Sequence, residues 1–237
     1  MRFRFFICCF LMAFATRGFT QSDNQVENKE NLIYENAFSE KSAMEGWLIE
    51  GEALIQHKDG WMHMQSPAQE SHHVYWCTET FPANFIAEWE VQNQNPEAGL
   101  CIIFFAAAGQ GGQDLFDTNL NPRTGIFRQY TKSDINNYHI SYYANSPTQK
   151  NRPFSHLRKN KGFKKVQVGG PGIAASSTGV HKLKLIKRNG HIQLFLDDKS
   201  IIDWTDNSPL KEGKIGFRQM KWTQFAYRNF KVWSVKY

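Results

Sequence analysis

The chain has 237 residues, and its 28 Lys and Arg outnumber 22 Asp and Glu, a net charge of +6 with histidine neutral. Ordinary use of glycine (17) and proline (8) excludes collagen-like and low-complexity classes. Three of the cations (Arg2, Arg4, Arg17) and two of the four cysteines (Cys8, Cys9) fall in the first 21 residues, so the rest carries only +3 and two cysteines, too little charge to imply nucleic acid and too few thiols for a disulfide framework.

Residues 1–21 read as a secretory signal peptide: basic Arg2 and Arg4, an apolar run from Phe5 to Phe14, then small and polar residues. That run is shorter than the ~20 residues needed to span a bilayer. The expectation is export to a periplasm or beyond, with no stable membrane anchor after cleavage. Residues 22–31 are polar and expected to be flexible, and residues 32–237 to form one domain.

From there the chain reads as strands. GWLIEGEALIQ, HHVYWCTETFP, NFIAEWEVQ and GLCIIFFAAA follow one another, broken by Pro82-Ala83-Asn84 and Pro96-Glu97-Ala98-Gly99. Phe85, Ala87, Trp89 and Val91 share one face and Ile86, Glu88 and Glu90 the other, whereas the run after Gly99 is apolar throughout, as a strand covered on both faces should be. Cys77 and Cys101 sit in such apolar runs; they either pair after export or pack as small hydrophobes. Residues 110–180 look different, with long polar stretches and one good strand at 137–144. Long structureless segments are usually functional loops or disorder. At 181–203 the signal sharpens: Leu183 and Leu185, an Asn189-Gly190 type I′ turn, then Ile192, Leu194 and Leu196 on one face. Near the C-terminus the alternation Phe225/Tyr227 slips before resuming at Phe230/Val232, which predicts a β-bulge. No segment holds a helical period. The fold class expected is all-β: a β-sandwich with long decorating loops.

Six ordered runs, VYWCTETFP (74–82), GLCIIFFAAAG (99–109), QDLFD (113–117), DINNYHISYY (134–143), LRKNKGF (157–163) and KEGKIGFRQM (211–220), resemble the motifs of the YesU-like family, a bacterial family of unknown function. The resemblance covers about residues 32–236. It implies a concanavalin A-like jelly roll with a carbohydrate cleft on its concave sheet. It also implies a setting among enzymes that degrade acidic plant or algal polysaccharides.

Candidate site residues follow from chemistry. Glycoside hydrolysis uses two carboxylates, and Glu88 and Glu90 share a strand face. The glycine-rich turn before QDLFD delivers Asp114 and Asp117 to a strand end; the family motif includes both, and an Asx-turn is the structural alternative. In DINNYHISYY, alternation puts His139, Ser141 and Tyr143 on one face, with Asp134 and Asn136 just before. His139 suits acid–base work near neutral pH. Seven cations and no acid lie in residues 150–165, a local field that attracts anions. Of these, Arg158 and Lys159 fall in the family motif. Trp76, Tyr130 and Tyr142 are candidate sugar platforms, and Arg218 a further cleft residue.

A Ca²⁺ near Asp117, Asp134 or Asp197-Asp198 lacks a recognisable loop, and no metal or cofactor is expected. The leading expectation is an exported glycoside hydrolase acting on an acidic polysaccharide or oligosaccharide. Its catalytic residues would be drawn from Asp114, Asp117, Asp134, Glu90 and His139. The substrate would be held by Trp76, Asn136, Tyr142, Arg158, Lys159 and Arg218. The alternatives are a β-eliminating lyase, with His139 or Tyr142 as base, and a sugar-binding module without catalysis. Nucleic acid is not an expected partner.

Overall fold

The computed structural model describes residues 29–67 and 72–236. The expected signal peptide lies outside the described residues. In chain order the strands are β1 (Lys29–Asn36), β2 (Trp47–Gly51), β3 (Leu54–Lys58), β4 (Trp61–Gln65), β5 (His73–Cys77), β6 (Phe85–Asn93), β7 (Gly99–Gly109) and β8 (Ile135–Asn145). They continue with β9 (Phe154–Asn160), β10 (Lys164–Pro171), β11 (Val180–Arg188), β12 (His191–Leu196), β13 (Lys199–Thr205), β14 (Lys214–Gln219) and β15 (Gln224–Val235). A short α-helix, α1 (Phe127–Thr131), follows β7, and a 3-10 turn spans Lys41–Met44. Among the described residues no helix is long and apolar enough to cross a membrane.

All pairings are antiparallel. The first sheet runs β13-β12-β11-β6-β15-β4-β3, with β1 also on β15; the second runs β10-β9-β8-β7-β14-β5-β2. The fold is therefore the all-β sandwich expected. Its main core lies between the sheets, where period-two alternation sends Phe85, Ala87, Trp89 and Val91 from β6 against Cys101, Ile103 and Phe105 from β7. Burying each large apolar side chain there stabilises the fold by about 1.5–3 kcal/mol.

Local chemistry explains the turns. Asn189 (φ 50°) and Gly190 (φ 81°) join β11 to β12 in the left-handed region that a type I′ turn requires, and Asp197 and Asp198 do the same between β12 and β13. The slip in β15 is a register shift between Arg228 and Lys231, with Asn229 at φ 56°.

The continuous apolarity of β7 has a specific cause. Its inward residues enter the main core. Its outward residues Leu100, Ile102, Phe104 and Ala107 join a second core with Val74, Trp76, Leu115, Tyr130 and Ile135. That second core lies on the outer face of the second sheet, roofed by the segment between β7 and β8.

Two expectations change. Residues 110–180 hold more strand than the one expected at 137–144: β9 and β10 form a hairpin at the sheet edge, with the lysines of 164–165 exposed. Their signal was faint because β9 buries a single apolar residue, Leu157, and β10, the edge strand, keeps its side chains exposed or half-buried. Lys29–Asn31, placed by sequence in a flexible start, begin β1 and pair along β15. Of the two alternatives for Cys77 and Cys101, packing as small hydrophobes is the one found: both are free, buried thiols.

A cup of three arginines on the second sheet

On the outer face of the second sheet lies a hollow of about 150 Å³, lined by residues from β7, β8, β9, β14 and the turns around them. His139 and Ser141 share its floor, as alternation along β8 expects. Arg158 reaches it from β9 and Arg218 from β14, on either side of β7 and β8. Arg152 enters from the turn between β8 and β9. Leu100, Ile102 and Met220 form an apolar flank. No carboxylate is among the lining residues described.

Each guanidinium is fixed. Arg218 is only 1% exposed; it donates from Nη2 to the Gly125 carbonyl (3.3 Å) and stacks 4.7 Å from the Phe127 ring. Its Nε has no partner among the described residues. Arg158 lies 3.8 Å over the Phe163 ring and donates to the Phe163 carbonyl. Arg152 donates to Ser141 Oγ (2.8 Å) and to Gln149, and its buried Nε is likewise unpartnered. Burial pushes Arg218 down to about 10; burial and then the charge of Arg158 do the same to Arg152. All three remain cations at neutral pH, with no acid beside them.

His139 is buried and held neutral. Burial, then the charges of Arg158, Arg218 and Arg152, lower its pKa well below the usual histidine range. A relay fixes its tautomer. Asn137 Nδ2 donates to the Tyr130 carbonyl (2.8 Å), so its Oδ1 accepts from Asn160 Nδ2 (2.7 Å). Asn160 Nδ2 also contacts His139 Nδ1 (2.8 Å), which must therefore accept. The proton then sits on Nε2, making His139 a hydrogen-bond donor.

Two phenylalanines complete the walls. Phe127 on α1 and Phe163 after β9 meet edge-to-face at 5.4 Å, and both pack on the His139 ring. Phe163 takes a φ of 57°, costly for a bulky side chain, and its packing on Arg158 and His139 holds it there. The Phe127 wall is pinned in turn. Arg123 pairs with Glu50 (2.7 Å), both nearly buried, and Trp76 Nε1 donates to the same carboxylate (2.9 Å). Gly125 (φ 89°) lets the segment touch the residue that leads into β5, since a Cβ there would lie 2.0 Å from the His72 carbonyl oxygen.

Of the candidates read from sequence, His139, Arg158 and Arg218 converge here and the others do not. Asp114 pairs with Lys214 (2.7 Å) and accepts from the Phe116 amide; Asp117 accepts from the Asn119 amide; Asp134 accepts from Asn121. They brace the roof segment through turns of the Asx kind. Glu90 lies on the opposite sheet, paired with Arg228 (2.7 Å), and Glu88 beside it pairs with Lys29. Lys159, one residue from Arg158, points the other way and pairs with Asp206 (2.7 Å), whose carboxylate also accepts from Tyr138. Asn136 falls on the strand face opposite His139 for the same reason. Trp76 is fully buried beneath Phe104 and Tyr130, and Tyr142 packs edge-on against Trp89 in the main core, so neither offers a ring to a sugar. Tyr143 also leaves the His139 face, because a register shift lies between the Ile102–Ser141 and Cys101–Tyr143 pairs. Sequence reasoning did not single out Arg152, although it stood in the basic stretch. Asp114→Asn should leave ligand affinity within about twofold while costing about 1 kcal/mol of stability; parallel titration and denaturant unfolding check this, and a tenfold affinity loss would return Asp114 to the site.

Known proteins resemble this chain along its length. The uncharacterized protein YesU from Bacillus subtilis (strain 168) is 36% identical over 209 residues, covering 84% of this chain and 94% of YesU. A crystal structure of a protein of unknown function with a galectin-like fold from Bacillus subtilis is 34% identical, with a TM-score of 0.83, covering 87% of this chain and 97% of that one. The carbohydrate-binding module CBM66 from Bacillus subtilis shares the fold alone: 13% identity, TM-score 0.53, covering 80% of this chain and 96% of the module. Residues 31–232 match the family model described as a domain of unknown function, DUF1961, and the chain belongs to that family.

Proposed function

We propose that the cup binds an acidic saccharide, with a uronate carboxylate held by Arg152, Arg158 and Arg218. The observation that carries this reading is three guanidinium groups converging on one small cavity with no acid among its described lining residues. Burying cations without a counter-ion is costly unless a ligand supplies one. Arginine forks suit a planar carboxylate. Phe127, Phe163 and the Leu100–Ile102–Met220 flank suit the C–H face of a sugar ring, and a carbohydrate-binding module shares the fold.

The geometry supports binding better than turnover. Hydrolysis needs two carboxylates about the scissile bond, and Asp114, Asp117, Asp134 and Glu90 are engaged elsewhere. β-Elimination needs a base, but the Nδ1 lone pair of His139 is taken by Asn160 and Nε2 carries the proton. In this reading His139 donates to the ligand, and the protein acts outside the cytoplasm once residues 1–21 are removed.

The test is calorimetry on the exported protein, its start fixed near residue 22 by mass spectrometry. Galacturonate and glucuronate should bind, galactose and glucose should not, and added salt should weaken the interaction. Incubation with acidic polysaccharide should release neither reducing ends nor unsaturated uronates. Equal affinity for neutral sugars would overturn the carboxylate reading. New reducing ends alone would restore the hydrolase, and unsaturated products the lyase.

A further inference from the structure

From the shape of the cup we infer that it takes the end of an acidic chain, one terminal uronate residue entering carboxylate first, and not an internal stretch. This rests on the acidic-saccharide reading above and narrows it.

A polysaccharide running through a site needs two open ends. Besides the sheet strands, five pieces of chain line this cavity. Phe127 of α1 forms one wall and Phe163 of the β9–β10 turn another. Gln149 and Arg152 of the β8–β9 turn, His72 before β5 and Met220 after β14 supply the rest of the rim. The first two walls touch one another through their rings, which closes the corner between them. The floor is β-sheet and cannot be passed.

Size agrees with shape. Pockets that enclose drug-sized ligands measure about 300–1,000 Å³, whereas this one measures about 150 Å³. That leaves room for a carboxylate and the ring bearing it. Depth agrees as well: Arg218 is 1% exposed, so a carboxylate reaching it must come in ahead of the rest of its sugar. An internal residue, tethered through both glycosidic oxygens, keeps its neighbours level with its ring and would set them against the walls.

The experiment compares galacturonate, trigalacturonate and polygalacturonate, with the matching glucuronate monomer as a second series, in titrations scaled by chain ends. The inference predicts affinities within about threefold per chain end across all lengths, and displacement of bound polymer by monomer. It also predicts that fragmenting the polymer at constant mass raises binding capacity in proportion to the new ends. Capacity that scales with polymer mass, with no competition from monomer, would overturn the chain-end inference and leave acidic recognition standing. Failure of every uronate to bind, at any length, would overturn both.

Discussion

Replacing Arg218 by methionine is expected to stabilise the fold by about 1–3 kcal/mol while weakening uronate binding by ~10–100-fold. The two effects have opposite signs because one charge causes both. Arg218 sits at the bottom of the cup, 1% exposed, with an unpartnered Nε and no carboxylate beside it. Its lowered pKa, about 10, expresses that burial. Methionine fills similar space and needs no hydrogen bonds. The lost contacts, a 3.3 Å bond to the Gly125 carbonyl and stacking on Phe127, are the smaller term. The sign with pH follows from proton binding. Between about 10 and the higher pKa of arginine in the unfolded chain, the unfolded state holds more protons, so the penalty is relieved only as pH rises through that window. The gain should therefore be constant from pH 6 to 9. Denaturant unfolding with paired titrations reads both effects, and a variant less stable than the parent would show that Arg218 serves the fold instead.

Glu50→Gln should have the larger effect on stability, a loss of about 3–5 kcal/mol, because it leaves Arg123 buried without its counter-ion. The pair is 5% and 7% exposed, and the same carboxylate accepts from Trp76, so one substitution disturbs three groups beneath the roof segment. Arg123 also donates to the Leu115 carbonyl, tying the pair to that segment. Binding should weaken too, since Phe127 and the Gly125 carbonyl that holds Arg218 belong to it. A Glu50→Met, Arg123→Met double variant should recover most of the stability, as an apolar replacement of a buried pair usually does. A loss under 1 kcal/mol in the single variant would mean that the roof is held by its apolar contacts alone.

Much of the fold could be read from periodicity. The β11–β12 hairpin, the β15 bulge and the two-sided burial of β7 each follow from residues whose chemistry admits one local structure, such as Asn189-Gly190. The face shared by His139 and Ser141 was legible for the same reason. What escaped was long-range. Asp114, Asp117 and Asp134 have the composition of an acid–base site, but their partners Lys214, Asn119 and Asn121 make them braces. The difference lies in which segments meet, which spacing along the chain does not encode. Trp76 and Tyr142 stand among polar neighbours in sequence, yet a roof covers one and the opposite sheet covers the other. The stretch 150–165 read as a single basic field, while strand alternation sends Arg158 into the cup and Lys159 to Asp206.

A crystal structure of the protein with galacturonate or glucuronate would show whether the three arginines hold a saccharide carboxylate. The carboxylate is expected within hydrogen-bonding distance of Arg152, Arg158 and Arg218, with His139 Nε2 donating to the sugar. A sugar bound instead beside Asp114 and Asp117, or on the opposite sheet near Glu90, with the cup empty, would contradict it.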